Sequence, residues 1–196
     1  MGFRAIVRVA LAVVVVALVG APGRAGADAE SAWAALVKGG HVALIRHGNA
    51  PPGYGGDPPG FKIEDCATQR NLDDAGREQA RAVGEAFRTR GVRVERMVSS
   101  PWCRCLETAR LMGFGPAESA WALVPDRPGA DPARLRELKA LIAAWRGPGT
   151  LVLVTHALTV RPLTGFLPGQ AETVVLAPGA GSGADPVLVG RIPSPR

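Results

Sequence analysis

The chain has 196 residues, of which 47% are hydrophobic and 20% are charged, and its formal net charge is +6. This is globular composition, with enough apolar residues for one sizeable core and not for two. The Lys and Arg residues are scattered, with no basic run and no interleaved aromatic residues, so the charge does not indicate a nucleic-acid-binding surface.

The N-terminus has the three parts of a secretory signal peptide. Arg4 and Arg8 precede an apolar run at Ala10–Val19, and small residues follow up to Ala27. The run is shorter than the roughly 20 residues that span a bilayer, although an uncleaved anchor is the alternative. We therefore expect cleavage after Ala27, a periplasmic location, and a mature chain of residues 28–196 with no stable membrane anchor.

Strands and helices alternate along the mature chain. Strands are predicted at Val42–Ile45, Arg96–Ser99, Leu151–Val154, Thr173–Leu176 and Val187–Arg191, and helices at Ser31–Lys38, from Asp73 or Asp74 to about Arg88, from Ser100 onward, and at Pro132–Trp145. Ser100 is the expected N-cap of its helix, and Leu106 is expected to face the core. A loop rich in Pro and Gly, Asn49–Asn71, follows the first strand. The alternation predicts a single-domain α/β fold, a three-layer sandwich with a mostly parallel central sheet and helices on both faces.

Three of these strands end in polar residues, and the carboxyl ends of parallel strands meet at one edge of the sheet. The first strand leads into Arg46 and His47, the second into a helix that carries Arg104, and the third into His156. Guanidinium groups bind phosphate through two hydrogen bonds each, and a neutral imidazole can attack phosphorus. A second imidazole can stabilise the charge on the phosphoryl group in flight. The cluster therefore predicts phosphoryl transfer.

Four segments together carry a family resemblance. They are Leu44–Gly48 (LIRHG), Asn71–Ala80 (NLDDAGREQA), Ser99–Ala109 (SSPWCRCLETA) and Val154–His156 (VTH). Their types and order resemble the histidine phosphatase superfamily, also called the phosphoglycerate mutase-like superfamily. The resemblance implies a metal-independent phosphatase without a cofactor, acting on a small phosphorylated substrate through a phosphohistidine on His47. Arg46, Arg104 and His156 would complete the phosphate pocket, and Asn49 would add a side-chain contact to a phosphoryl oxygen.

The general acid is not evident. Many members of the superfamily carry one, often a Glu, in an insertion after the helix that bears the arginine. In this chain the corresponding region, residues 113–131, is short. Glu118 and Asp126 are the nearest candidates, but an ordinary surface acid is the favoured interpretation of each. Two other functions therefore stay open: a phosphate-recognising protein with little turnover, and a phosphomutase.

Three further cations flank the predicted site. Lys62, Arg70 and Arg127 could attract additional phosphate groups of a substrate, but an exposed, solvated charge is the favoured interpretation of each. The substrate itself is not readable from these residues.

The chain has three cysteines, and export favours a disulfide. Cys103 and Cys105 lie two residues apart on a predicted helix, so their side chains point in different directions. We therefore predict a bond from Cys66 to Cys103 or to Cys105. Three unpaired thiols, packed as small apolar groups, are the alternative.

Overall fold

The structure is a computed structural model that describes residues 24–51, 56–125, 131–179 and 184–195. Its helices are α1 (Arg24–Lys38), α2 (Asp74–Thr89), α3 (Cys103–Met112), α4 (Pro132–Ala143) and α5 (Ala157–Thr164), and its strands are β1 (Val42–Arg46), β2 (Val94–Ser99), β3 (Glu118–Ser119), β4 (Thr150–Thr155), β5 (Thr173–Ala177) and β6 (Val187–Ile192). Among the described helices, none combines the length and the apolar character needed to cross a membrane.

The six strands form one sheet in the order β3-β2-β4-β1-β5-β6. Strands β1 to β4 run parallel to one another, while β5 is antiparallel to β1 and to β6. The central pair, β1 and β4, is buried almost throughout, which accounts for its continuous apolar sequence. The predicted mostly parallel sheet is confirmed, and the two last strands, β5 and β6, pair with each other.

Each face of the sheet is covered by helices, because alternate residues of the buried strands point to opposite sides. Ala43 and Ile45 of β1 pack with Leu36 of α1 and Phe87 of α2. On the other face, apolar side chains of β1 and β4 pack with α4, including Ile142. The three-layer α/β sandwich predicted from the sequence is confirmed.

The start of α3 differs from the prediction. The helix begins at Cys103, and Ser100 is not its N-cap. The hydroxyl of Ser100 lies 2.9 Å from Nε2 of His156, and its N–H donates to the carbonyl of Val154 at 2.9 Å, so Ser100 belongs to the end of the sheet. Leu106 is 36% exposed and does not face the core, because Cys105 takes the fully buried position of that turn.

The first turn of α2 packs closely against the backbone that follows β1. A Cβ atom on Gly48 would overlap the carbonyl of Gly76, and one on Gly76 would overlap the backbone of Asn49. Asp73 caps α2 by accepting a hydrogen bond of 2.7 Å from the N–H of Gly76. These contacts explain why glycine stands at positions 48 and 76, in the first two segments of the family resemblance. They also bring α2 up to the end of β1.

Helix α1 starts seven residues before its predicted first residue, Ser31. Cleavage after Ala27 would thus remove its first four residues. The rest of the predicted signal peptide, residues 1–23, lies outside the described residues.

Candidate active site

The residues predicted at the carboxyl edge of the sheet meet in one buried cluster. His47 follows β1, His156 follows β4, and Arg104 lies in the first turn of α3. The exposed fractions of these residues are 3%, 4% and 2%, respectively. The centroids of the two imidazole rings are 5.3 Å apart. With Arg46, whose charge acts on both rings, they are called the four-residue cluster below.

His47 is neutral and presents one ring nitrogen to the site. Its Nδ1 lies 2.8 Å from the carbonyl oxygen of Gly48, and a carbonyl only accepts, so Nδ1 carries the proton and Nε2 the lone pair. Burial, followed by the charge of Arg104, lowers the pKa of His47 to about 3. No hydrogen bond joins Nε2 to another described residue, so its lone pair is available for attack on phosphorus.

His156 is also neutral, with the opposite tautomer. Nη2 of Arg104 lies 3.5 Å from its Nδ1, and a guanidinium only donates. The proton therefore sits on Nε2, which donates to the hydroxyl of Ser100 at 2.9 Å. Burial, and then the neighbouring His47 and Arg104, holds the pKa of His156 well below its usual value. A neutral imidazole with its N–H at this edge can donate a hydrogen bond to a bound oxyanion in place of the Ser100 hydroxyl.

Arg46 turns its guanidinium toward the same edge. Its Nη1 donates to the carbonyl of Pro168 at 2.9 Å, while its backbone N–H donates to the carbonyl of Glu172. Burial lowers the pKa of Arg46, and the negative charge of Glu172 opposes this shift. Arginine nevertheless keeps its positive charge at every physiological pH, so Arg46 contributes a fixed cation.

A buried aspartate, which the sequence analysis did not single out, pairs with Arg104. Asp57 Oδ1 accepts from Arg104 Nη1 at 2.7 Å, and the two side chains are 4% and 3% exposed. Oδ1 also accepts from the N–H of Arg70 at 3.0 Å, and Oδ2 from Nε1 of Trp102 at 2.8 Å. Burial alone would raise the pKa of Asp57, but the hydrogen bond and charge of Arg104 outweigh it, and the pKa is lowered. The carboxyl is therefore ionised.

Arg70 belongs to the same site, so its interpretation as a solvated surface charge is wrong. It is half-buried, and its Nη1 donates to the carbonyl of Ala50. Its own carbonyl accepts from Nη1 of Arg104 at 3.3 Å. Burial and the charge of Arg104 lower the pKa of Arg70, and the charge of Arg70 in turn lowers the pKa values of His47 and His156.

A family model matches the part of the chain that contains His47 and Arg104. Residues 42–120 match the family model of the histidine phosphatase superfamily (branch 1). The resemblance predicted from the sequence is thereby confirmed; the match includes the first three of its four segments. No curated protein sequence matches the chain.

Solved structures of similar fold include several phosphatases. The protein histidine phosphatase SixA complexed with tungstate has a TM-score of 0.56 and 19% identity, over 79% of this chain and 97% of that chain. Rv3214 from Mycobacterium tuberculosis has a TM-score of 0.55 and 19% identity, over 76% of this chain and 94% of that chain. The phosphoserine phosphatase from Entamoeba histolytica, in complex with 3-phosphoglyceric acid, has a TM-score of 0.55 and 18% identity, over 77% of this chain and 95% of that chain. At these identities the likeness concerns the fold alone.

Asn49, the predicted side-chain contact to a phosphoryl oxygen, is engaged by protein groups at both ends of its side-chain amide. Its Nδ2 donates to Asp73 Oδ2 at 2.7 Å, and its Oδ1 accepts from Gln170 Nε2 at 2.5 Å. Its side chain thus connects the segment after β1 to the N-cap of α2 and to the segment before β5.

The two candidate general acids have different outcomes. Glu118 lies in β3, the edge strand of the sheet, where its exposed carboxylate pairs with Arg96 at 2.7 and 3.0 Å. The described residues give Glu118 no polar contact with the four-residue cluster. Asp126 lies outside the described residues, as does Arg127, and Lys62 is exposed.

A disulfide joins Cys66 to Cys103, one of the two pairings that the sequence left open, with a Cα–Cα distance of 5.7 Å. The bond ties the loop that carries Asp57 and Arg70 to the residue before Arg104. Cys105 is a free, buried thiol, and burial raises its pKa to about 12. In the described part of the chain, no group of three or more His, Cys, Asp or Glu side chains is arranged to hold a metal ion.

Proposed function

We propose that the protein is a phosphatase that hydrolyses a phosphomonoester, or phosphohistidine, through a covalent phosphohistidine on His47. The observation that carries this proposal is the state of His47. Its imidazole is buried and neutral, with a pKa lowered to about 3, its Nε2 lone pair is unused, and two arginines of the four-residue cluster stand beside it. This is the arrangement that a nucleophile for phosphorus requires.

In the proposed reaction, Arg46 and Arg104 bind the phosphoryl oxygens and offset their negative charge. Nε2 of His47 attacks phosphorus, the bond from phosphorus to the leaving oxygen or nitrogen breaks, and the leaving group departs with that electron pair. The N–H of His156, which donates to the hydroxyl of Ser100 in the free protein, turns to a phosphoryl oxygen as charge develops there. A water molecule then attacks phosphorus, the P–N bond breaks toward Nε2, and phosphate and free His47 result.

The source of the proton that the leaving group takes up bears on the class of substrate. Asp57 is held ionised by Arg104 and has no proton to give near neutral pH, and Glu118 is paired with Arg96 on the surface. Neither of these two acids of the described ranges can supply the proton, and we propose that it comes from water. This favours substrates whose leaving group departs readily, such as phosphohistidine or an aryl phosphate, and we propose that these are hydrolysed faster than alkyl phosphates.

The test is phosphate release from p-nitrophenyl phosphate by residues 28–196, with and without excess chelator. His47→Ala should lower kcat/KM by several orders of magnitude, because no other group can form the intermediate. Wild-type activity should persist in the chelator, because Arg and His side chains meet the phosphate charge. Activity of His47→Ala within tenfold of wild type would refute the mechanism. A wild-type protein that binds phosphate but releases none would favour a phosphate-recognising protein.

We further propose that the protein is exported to the periplasm, with residues 1–27 as a cleaved signal peptide and residues 28–196 as a single phosphatase domain. The Cys66–Cys103 disulfide supports this location, because disulfides form and persist in oxidising compartments.

A further inference from the structure

Three arginines at the site share one arrangement of hydrogen bonds. Arg46 Nη1 donates to the carbonyl of Pro168 at 2.9 Å, Arg104 Nη1 donates to Asp57 Oδ1 at 2.7 Å, and Arg70 Nη1 donates to a backbone carbonyl. In all three, Nε is buried and has no acceptor among the described residues. A buried charged donor without an acceptor is costly, so three of them at one site point to an anion that accepts from them.

The free atoms lie on the edge of the guanidinium that binds oxyanions. The N–H of Nε and one N–H of Nη2 point in parallel, and together they fit two oxygens of a phosphate. Fixing Nη1 to the protein leaves that edge for a ligand. Nη2 of Arg46 and of Arg70 has no acceptor in the described ranges, and Nη2 of Arg104 has only the contact of 3.5 Å with Nδ1 of His156.

Arg70 is coupled to Arg104 through the backbone as well as through charge. The N–H of Arg70 donates to Asp57 Oδ1 at 3.0 Å, and its carbonyl accepts from Arg104 at 3.3 Å. One carboxylate thus positions both residues. The guanidinium of Arg70 is close enough for its charge to act on both catalytic imidazoles, as the charges of Arg46 and Arg104 do.

We propose that Arg70 is a third phosphate-binding arginine, whose Nε–Nη2 edge contacts the transferring phosphoryl group together with those of Arg46 and Arg104. This inference rests on the proposed phosphatase function. In phosphoryl transfer the negative charge is spread over three equatorial oxygens. Three guanidinium edges match three oxygens, so Arg70 acts more strongly on the transition state than on bound phosphate.

The experiment compares Arg70→Lys and Arg70→Gln with wild type, using p-nitrophenyl phosphate as substrate and vanadate and inorganic phosphate as inhibitors. Arg77→Lys and Arg77→Gln are the matched controls. Arg77 is likewise half-buried, and it donates through Nη1 to the carbonyl of Leu72 at 2.9 Å, but it pairs with Glu107 rather than with the cluster. Circular dichroism and thermal unfolding verify that each variant is folded.

We expect Arg70→Lys to lower kcat/KM at least tenfold, because an ammonium cannot reproduce the bidentate edge. The inhibition constant of vanadate, which adopts the five-coordinate geometry of the transition state, should rise by a similar factor, and that of phosphate by less. The Arg77 variants should stay within twofold of wild type. Unchanged kcat/KM and vanadate inhibition in folded Arg70→Lys would overturn the proposal. So would a loss of activity that follows only the loss of folded protein.

Direct vanadate binding, measured by calorimetry, separates this proposal from the proposed function. If wild type binds vanadate and Arg70→Lys does not, but wild type releases no phosphate from any substrate, the phosphatase function fails and the role of Arg70 stands. If wild type is an active phosphatase and Arg70→Lys equals it in activity and vanadate binding, the role of Arg70 alone fails.

Discussion

Lowering the pH from 7 to 5 should destabilise the fold through the buried histidines. His47 is 3% exposed, and its pKa falls from an ordinary value of 6.5 to about 3 because of burial and the nearby arginines. In the unfolded chain, the same imidazole takes up a proton below pH 6.5. Unfolding therefore binds protons in this window, and the free energy of unfolding falls as the pH falls.

The size of the effect follows from the shift. Between the two pKa values, well below 6.5 and above 3, each decrease of one pH unit lowers the free energy of unfolding by about 1.4 kcal/mol for one such group. Integrated from pH 7 to pH 5, His47 alone removes about 2 kcal/mol. His156 acts in the same direction, because its pKa is also well below the usual value. This window lies above the pH at which paired carboxylates such as Asp57 become protonated, so the histidines dominate it.

Urea unfolding at pH 7, 6 and 5, followed by circular dichroism in buffers free of phosphate, measures the effect. His47→Asn removes one titrating group, so its free energy of unfolding should fall by about 2 kcal/mol less than that of wild type between pH 7 and pH 5. His156→Asn should also weaken the pH dependence. If wild type and both variants lose stability in parallel, the histidines are not neutral in the folded protein, and the argument for a neutral nucleophile fails with them.

Two further predictions concern the groups that position Arg104. Asp57→Asn removes the negative partner of a buried pair, so it should lower the free energy of unfolding by about 3 kcal/mol and should also lower kcat/KM. A melting temperature and activity equal to those of wild type would show that Arg104 does not depend on this carboxylate. Reduction of the Cys66–Cys103 bond, which spans 37 residues, should cost about 4 kcal/mol of stability less any strain. It should impair phosphate release more than secondary structure; full activity with unchanged melting after complete reduction would contradict this expectation.

The general architecture was predictable because its signals are local. The apolar runs of β1 and β4 predicted doubly buried strands, and their alternation with helices predicted a parallel sheet. Helix ends with clear chemistry were also readable, since Asp73 caps α2 and Asp131 caps α4. The brief β3 and α5, with Pro162 in its interior, were not predicted, because two residues carry no periodicity and a proline argues against a helix.

The sequence by itself determined where the four-residue cluster lies, because a parallel sheet brings its carboxyl ends to one edge. His47 and His156 follow strand ends directly, and Arg104 lies in the first turn of the helix after another strand. Only the tertiary structure decided what surrounds the cluster. Asp57 and Arg70 lie in a loop without periodicity, and Asp57 meets its partner 47 residues along the chain. A buried pair of this kind depends on how the loop folds back over α3, and no local propensity encodes that path.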